Sequence, residues 1–309
     1  MPDKISPYHL CKITEMKVRS ILAKTYYYFL GRFCPKQLCS LLYKKRMGKD
    51  INWDNPKTFN EWVCWLEFNS DTSLWTTLAD KYKVREYVEN KGLGEYLPEL
   101  YGVYDNVDKI DFSQLPDKFV IKANNGCAQV IIVKDKKCID EDQIKKKCKK
   151  WLKTPFGYLS AEPHYIKIPR KIIIEEFLET SDNSSLIDYK WYCFNGKVAY
   201  ANVLSERSQA HEYKIQIYDT EWNPHSEYLS RKKLKNDVGK PVLLEEQLKI
   251  CRILSQGFPE IRVDLYEVNG KVYIGELTLT NSAGRDIDFT PEFDQILGAE
   301  VDRNVIKLK

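Results

Sequence analysis

The chain has 309 residues, 43% hydrophobic and 30% charged, which gives ample apolar material for one large domain or two smaller ones and argues against disorder. A formal net charge of +4 is small for this size, so it predicts no nucleic-acid role by itself but is compatible with polyanionic ligands. Nine cysteines, an odd number without CxxC pairs or a Cys/His cluster at zinc-ligand spacing, point to reduced thiols in the cytoplasm.

The first residues, MPDKISPYHL, lack the charged-then-apolar order and cleavage site of a secretory signal, and the apolar run TYYYFLGRF is far too short to span a bilayer. The segment up to about Trp75 reads as helical. Its basic and aromatic stretch KTYYYFLGRFCPKQLCSLLYKKR leaves two readings open. One is a basic interfacial helix giving peripheral membrane association at the inner face, where lipid-linked glycans are assembled; the other is a core helix with solvated lysines. Thr58 to Glu61 has capping-box spacing before Trp62, Val63 and Leu66 and marks a helix start. Asp80 is placed to cap a helix DKYKVREYVENK that stops at Gly92.

After Pro98 the character changes to strand-like runs separated by turns: KFVIKA, QVIIVK, RKIIIEEFL, YKWYCF, KVAYANVL, then RVDLYEV and KVYIGELTLT. Several are joined by Asn-Gly, a strong hairpin signal, so antiparallel sheet is expected. Two amphipathic helices, EDQIKKKCKKWL and LLEEQLKICRILSQG, interrupt them. The fold class is α+β, without regular βαβ alternation.

Three places carry candidate chemistry. Lys122 lies in an apolar strand before a loop of small residues, Asn124 to Gln129, which could cover polyphosphate with backbone N–H groups while the lysine supplies a compact cation. No GxxxxGK[ST] loop or GxGxxG turn is present. The strand KIIIEEFLE could offer backbone groups to a purine edge and Phe177 or Leu178 to its face, and in DYKWYCFNGK the residues Asp188 and Lys190 share one sheet face. Finally Asp264 and Glu276 each interrupt an apolar strand, where sheet stability alone favours β-branched or aromatic residues. Each of these features, taken alone, is also compatible with a solvated strand face.

In their joint order, from NPKTFNEW through DKYKVREYV, LPDKFVIK, DYKWYCFNGK, RVDLY and GELTLTNSAG, these motifs resemble the TupA-like ATP-grasp family, which is associated with teichuronopeptide and capsular polysaccharide biosynthesis. The resemblance implies an ATP-grasp fold of two antiparallel-sheet lobes clamping ATP: a helical region over 1–75, a first lobe over 76–180 and a second over 181–309. It implies a carboxylate-amine ligase in which Mg·ATP phosphorylates a carboxylate and an amine attacks the acyl phosphate. By similarity, Lys122 and Asn124, Asn125, Gly126 and Cys127 hold the phosphates, with Lys81 a further phosphate-side lysine. Glu175, Glu176, Phe177 and Leu178 line the adenine and Asp188 approaches the ribose. Asp264 and Glu276 hold magnesium, Arg262 neutralises the developing acyl-phosphate charge, and Lys190 faces the transferred phosphoryl group. The substrates implied are a uronic acid or other acidic glycan and an amino acid or other amine.

The chain departs from the pattern at three points. Thr278 stands where many such ligases have the asparagine that completes the metal site, with Asn281 the alternative donor. Asn125, Gly126 and Cys127 replace a His, Gly, Ser loop, and Trp62 replaces a lysine. A glycosyltransferase is the competing enzyme class, against which stands the lack of a DxD-type acidic pair. A nucleotide-binding protein without ligase activity is a third reading. Arg207, His211 and Arg285 are further plausible substrate contacts.

Register decides whether the two acids can share a metal. A two-residue turn at Asn269 and Gly270 pairs Asp264 with Gly275 and sets the acids on opposite faces. A three-residue loop with a G1 bulge pairs Arg262 with Glu276 and puts Arg262, Asp264 and Glu276 on one face. The metal site requires the second arrangement.

Overall fold

A computed structural model of the chain describes residues 22–181, 184–206, 213–230 and 237–309. Helix α1 covers residues 22–33 and α2 covers Pro35–Met47, with Pro35 in its first turn, where a missing N–H is harmless, and Gly48 closing it in the left-handed conformation. Helix α3 (Phe59–Asn69) starts with the expected capping box, in which Thr58 and Glu61 satisfy each other's backbone N–H groups. Its Phe59, Trp62, Val63 and Leu66 enter the largest core. After the short α4 (Trp75–Ala79), Asp80 Oδ1 accepts from the N–H groups of Tyr82 and Lys83 at 2.9 and 3.3 Å. The acid thus caps a turn that leads into α5 (Val84–Asn90), so the helix begins later than the sequence suggests.

The first sheet contains β1 (Leu100–Tyr104), β2 (Phe119–Ala123), β3 (Val130–Val133) and β4 (Ile172–Glu176), all antiparallel in the order β1-β4-β2-β3. Alternation gives it two different faces. Phe119, Ile121, Ile172 and Ile174 pack against Ile144, Cys148 and Trp151 of α6 (Glu141–Lys153), so the lysines of that helix lie on its outer side. The other face carries Val120, Lys122, Val130, Ile132 and Glu175 and looks into a cleft. Helix α7 (Pro163–Ile166) precedes β4.

The second sheet holds β5 (Asp188–Phe194), β6 (Lys197–Ser205), β7 (Lys214–Asp219), β8 (Ile261–Val268) and β9 (Lys271–Thr278), again antiparallel, in the order β7-β6-β5-β8-β9. The β5–β6 and β8–β9 hairpins turn at Asn195-Gly196 and Asn269-Gly270, all four residues having positive φ as a two-residue type I′ turn requires. One face is covered by α8 (Leu244–Ser255), where Gln247 Oε1 accepts from the indole N–H of the fully buried Trp191 at 3.0 Å. Helix α9 (Pro291–Glu300) packs on α3. Asn60 Nδ2 donates to the Asp286 carbonyl at 3.1 Å and Asn60 Oδ1 accepts from Asp286 N–H at 2.7 Å, which clamps the loop after β9 onto α3.

Candidate active site

The turn between β8 and β9 has two residues, yet the acids share a face. Near the turn Val268 pairs with Lys271 and Leu265 with Ile274, and the register then shifts so that Asp264 pairs with Glu276 and Arg262 with Thr278. Gly275 is the extra residue of a β-bulge, and it restores the phase that the short turn would have broken. The register expected of a two-residue turn forms from Val268 to Leu265, and beyond the bulge neither expected register holds. Glycine is needed here because a Cβ would meet the Tyr266 ring at 2.6 Å and the Asp264 carbonyl oxygen at 3.3 Å.

Because β5 pairs with β8 so that Lys190 faces Asp264, the bulge assembles a charged strip across three strands. Arg262 grips Asp264 with Nε to Oδ1 at 2.6 Å and a second guanidinium nitrogen to Oδ2 at 2.8 Å, while Lys190 Nζ donates to Oδ2 at 2.6 Å. Burial alone would raise the Asp264 carboxyl, but the Arg262 and Lys190 charges outweigh it and hold it at about 2. Arg262 also donates to Thr278 Oγ1 at 3.1 Å and to Asn281 Oδ1. Burial works against the Arg262 cation, yet Asp264 pushes its pKa still higher. Asp188 lies 4.0 Å from Lys190 Nζ.

Glu276 is the more accessible acid. Lys81 Nζ donates to its Oε1 at 3.1 Å and to the Gly126 carbonyl of the β2–β3 loop, also at 3.1 Å. One ammonium therefore links the small-residue loop of the first sheet to the acid pair of the second. Burial would raise Glu276, but Lys81 lowers it further than Asp264 opposes. Burial works against the Lys81 cation, yet the charge and hydrogen bond of Glu276, with Cys127 and Glu175 nearby, together raise it.

Between the sheets lies a cleft of about 510 Å³ bordered by Lys81, Lys122, Glu175, Phe177, Leu178, Asp188 and Glu276. Lys122 is ion-paired to Glu175. Glu176 accepts from the Glu99 N–H at 3.2 Å at the strand end. In the loop, Ala128 has positive φ and Cys127 is exposed. Asn124 is fully engaged at the loop's base: its amide donates to Asp80 Oδ1 and the Pro169 carbonyl at 2.8 and 2.9 Å and accepts from Lys171 N–H at 2.7 Å. Trp62 lies in the main core with the Arg303 guanidinium 5.1 Å above its ring.

The cleft also contains groups that the sequence reading passed over. Val130 and Ile132 are exposed apolar residues on its wall, and the alternation of QVIIVK is their only sequence signal. Lys134 lies 5.9 Å from the Phe177 ring. Tyr165, which does not border the cleft, is raised well above an ordinary phenol by burial and then by the Glu276 charge, with no local motif to mark it.

The chain of contacts continues from Arg262 through Asn281, whose amide donates to Asp286 Oδ2 at 3.1 Å. Beyond it opens a second cavity of about 580 Å³, with Lys45, Arg46, Arg285 and Asp286 on its walls. Ser282, on its wall, begins a run of left-handed residues with Ala283 and Gly284; strain of this kind persists where surrounding contacts over-determine the backbone. Arg285 lies here and donates to the Ser160 carbonyl at 3.1 Å, not into the cleft. Arg207 and His211 fall outside the described residues.

The donor set suits magnesium in kind. Asp264 and Glu276 are cross-strand neighbours offering oxygen ligands, and magnesium commonly takes one or two carboxylates together with phosphate oxygens and water. Among the described residues no group of three or more His, Cys, Asp or Glu could hold a metal alone. Thr278 and Asn281, the two further donors considered, both accept from Arg262.

A sequence model of the family described as TupA-like ATPgrasp matches residues 61–302. Among curated proteins no match is found. Solved structures similar to this chain include D-alanine–D-alanine ligase from Helicobacter pylori, at 18% identity over 79% of this chain and 68% of that one with a TM-score of 0.44. D-cycloserine synthetase DcsG is similar at 13% identity over 76% and 73%, TM-score 0.46. The ATP complex of D-alanine–D-alanine ligase from Bacillus anthracis is similar at 13% over 68% and 58%, TM-score 0.41.

Proposed function

The chain belongs to the TupA-like ATP-grasp family, with its α+β fold and carbon–nitrogen ligase class, and on that premise we propose that it binds Mg·ATP in the cleft between its sheets, activates a carboxylate as an acyl phosphate and joins it to an amine. In this reading the lobes that close on the nucleotide are 76–180 and 181–309, with the region up to residue 75 outside them. The observation that carries this reading is the double contact of Lys81, to the Gly126 carbonyl and to Glu276. It sets the small-residue loop and the acid pair on two sides of one polar point, as polyphosphate held between them requires.

Phosphoryl transfer needs positioning and charge neutralisation more than covalent help. Phe177, Leu178, Val130 and Ile132 supply the apolar walls for the base, with Asp188 toward the ribose. Lys122, Lys81 and the backbone of Asn125, Gly126 and Cys127 receive the phosphates, and nucleotide binding competes with Glu175 for Lys122 and with Glu276 for Lys81. Glu276 and Asp264 would hold magnesium, with Thr278 or Asn281 as a further donor, and the ion would supply charge neutralisation for the phosphates. Arg262, fixed by Asp264 on one side and Asn281 on the other, presents its positive charge where an acyl phosphate develops negative charge. Lys190 lies on the same strip for the transferred group.

The cations of the second cavity suit an acidic carboxylate substrate entering from the Asp286 side, and a uronic-acid or other acidic glycan of cell-surface polysaccharide assembly fits that chemistry. The test is ADP release from Mg·ATP across a panel of uronic acids and amines. The reading expects sustained ADP release only when both partners are present, no more than about one turnover with the carboxylate alone, and its loss in Glu276→Gln. ADP formed without a carboxylate, or none with any pair by a protein that binds nucleotide, contradicts the ligase reading for this chain.

A further inference from the structure

Helix α1 carries Leu22, Tyr26, Phe29 and Phe33, spaced four, three and four residues apart, which on a helix forms one narrow stripe. These side chains are 63, 55, 54 and 62% exposed. The opposite side of the same helix is docked. Tyr27 and Leu30 pack against the small core of Leu38, Cys39 and Tyr43, and Gly31 lies so close to Tyr158 that a Cβ would meet its carbonyl oxygen at 1.8 Å. The direction of the aromatic stripe is therefore fixed by the body of the protein, and it points outward. A contiguous apolar stripe held in this way marks an interaction surface.

Charge selects the partner. Between residues 22 and 49 there are seven Lys or Arg and no Asp or Glu, and all but Lys36 of those cations are exposed. A second copy on the same stripe would bring two basic surfaces together. An anionic lipid surface instead offers a polar–apolar boundary for the aromatic rings and negative headgroups for the cations flanking them. We propose that α1 docks this chain on an anionic bilayer, with Leu22, Tyr26, Phe29 and Phe33 at the headgroup boundary and the exposed cations Lys24, Arg32 and Lys44 toward the headgroups. No helix among the described residues is long and apolar enough to cross a membrane, so the contact is peripheral at these residues. The surface precedes residue 61, where the family match begins, and it does not depend on the ligase reading.

Sedimentation of the full chain with vesicles of phosphatidylcholine, alone or mixed with phosphatidylglycerol, tests this. The expected result is pelleting with the anionic vesicles only, weakened by salt and about tenfold or more weaker for Phe29→Ser/Phe33→Ser. Lys24→Glu/Lys44→Glu, which leaves the apolar stripe intact, should also weaken it. Unchanged thermal midpoints of both variants report an intact fold. A full chain that stays in the supernatant, or a serine variant that pellets like the wild type, overturns the proposal. So does a concentration-dependent dimer, without lipid, that the serine variant abolishes, since the stripe then belongs to a second copy.

Discussion

Asp264 and Glu276 stand opposite one another on β8 and β9, although the two-residue turn joining these strands would by itself set them out of phase. One glycine corrects the register, and with it the charged strip from Lys190 through Arg262 to Thr278 comes to lie on a single face.

Gly275→Ala should therefore damage the site as well as the strand. The added methyl meets the Tyr266 ring and the Asp264 carbonyl, and overpacking of this kind costs about 1–3 kcal/mol. Denaturant unfolding should show that loss and nucleotide-dependent stabilisation should fall. Adding Tyr266→Ala should recover part of the nucleotide response, because the ring is the nearer obstacle.

Asp264→Asn tests the charge balance at Arg262. Removing one partner of a buried ion pair leaves the other uncompensated at a cost of about 3–5 kcal/mol, to be read by denaturation near neutral pH. The folded Asp264 carboxyl titrates at about 2, below its ordinary 3.8. Its contribution is thus complete above the ordinary value and is lost as pH falls from there through about 2. In that window the wild type should lose roughly 2 kcal/mol more than the variant.

The sequence made much of this arrangement legible, for identifiable reasons. The capping box at Thr58, the amphipathic helices and the strands from KFVIKA onward each follow from local chemistry, and Asn195-Gly196 and Asn269-Gly270 form two-residue hairpin turns, while Asn125-Gly126 lies within the longer β2–β3 loop. The bulge was not legible, because Gly275 looks like any weak strand residue until the Tyr266 ring is known to lie over it. Strands β1 and β7 escaped notice too, the first half-buried throughout and interrupted by Gly102. Of the candidate residues, Lys190, Arg262, Asp264 and Glu276 are brought together by sheet register, and Lys81 reaches Glu276 from the turn after α4. The Asn124 side chain is committed to the loop's scaffold, and Arg285 lies at the second cavity. Tyr165 comes from a four-residue helix with no signature, and only tertiary packing brings it near Glu276.

Behind the site, Glu67 and His164 form a buried pair, Oε1 to Nδ1 at 2.8 Å. Burial, then the Glu162 charge, raises the Glu67 carboxyl well above its ordinary value, and burial lowers His164 to about 4. The ring is therefore neutral near neutral pH, and the acid beside it holds its proton to a higher pH than an ordinary carboxyl. A raised acid stabilises fully below its unfolded value and loses that contribution as pH rises through the folded one. Glu67→Gln keeps a donor toward Nδ1 and removes the titration. Its thermal midpoint should gain on that of the wild type as pH rises above the ordinary carboxyl range, and the difference should shrink as pH falls back toward that range.

The nucleotide cleft is tested most directly by thermal unfolding of the wild type and Lys122→Ala, each with and without a non-hydrolysable Mg·ATP analogue. Lys122 is ion-paired to Glu175, so the variant's own midpoint falls and the quantity to compare is the ligand-induced shift. At a hundred times its dissociation constant a ligand that binds only the folded state adds about 2.7 kcal/mol. A magnesium-dependent shift in the wild type that is lost in Lys122→Ala is the predicted result. No shift in the wild type at millimolar nucleotide, or the same shift in both proteins, would contradict it.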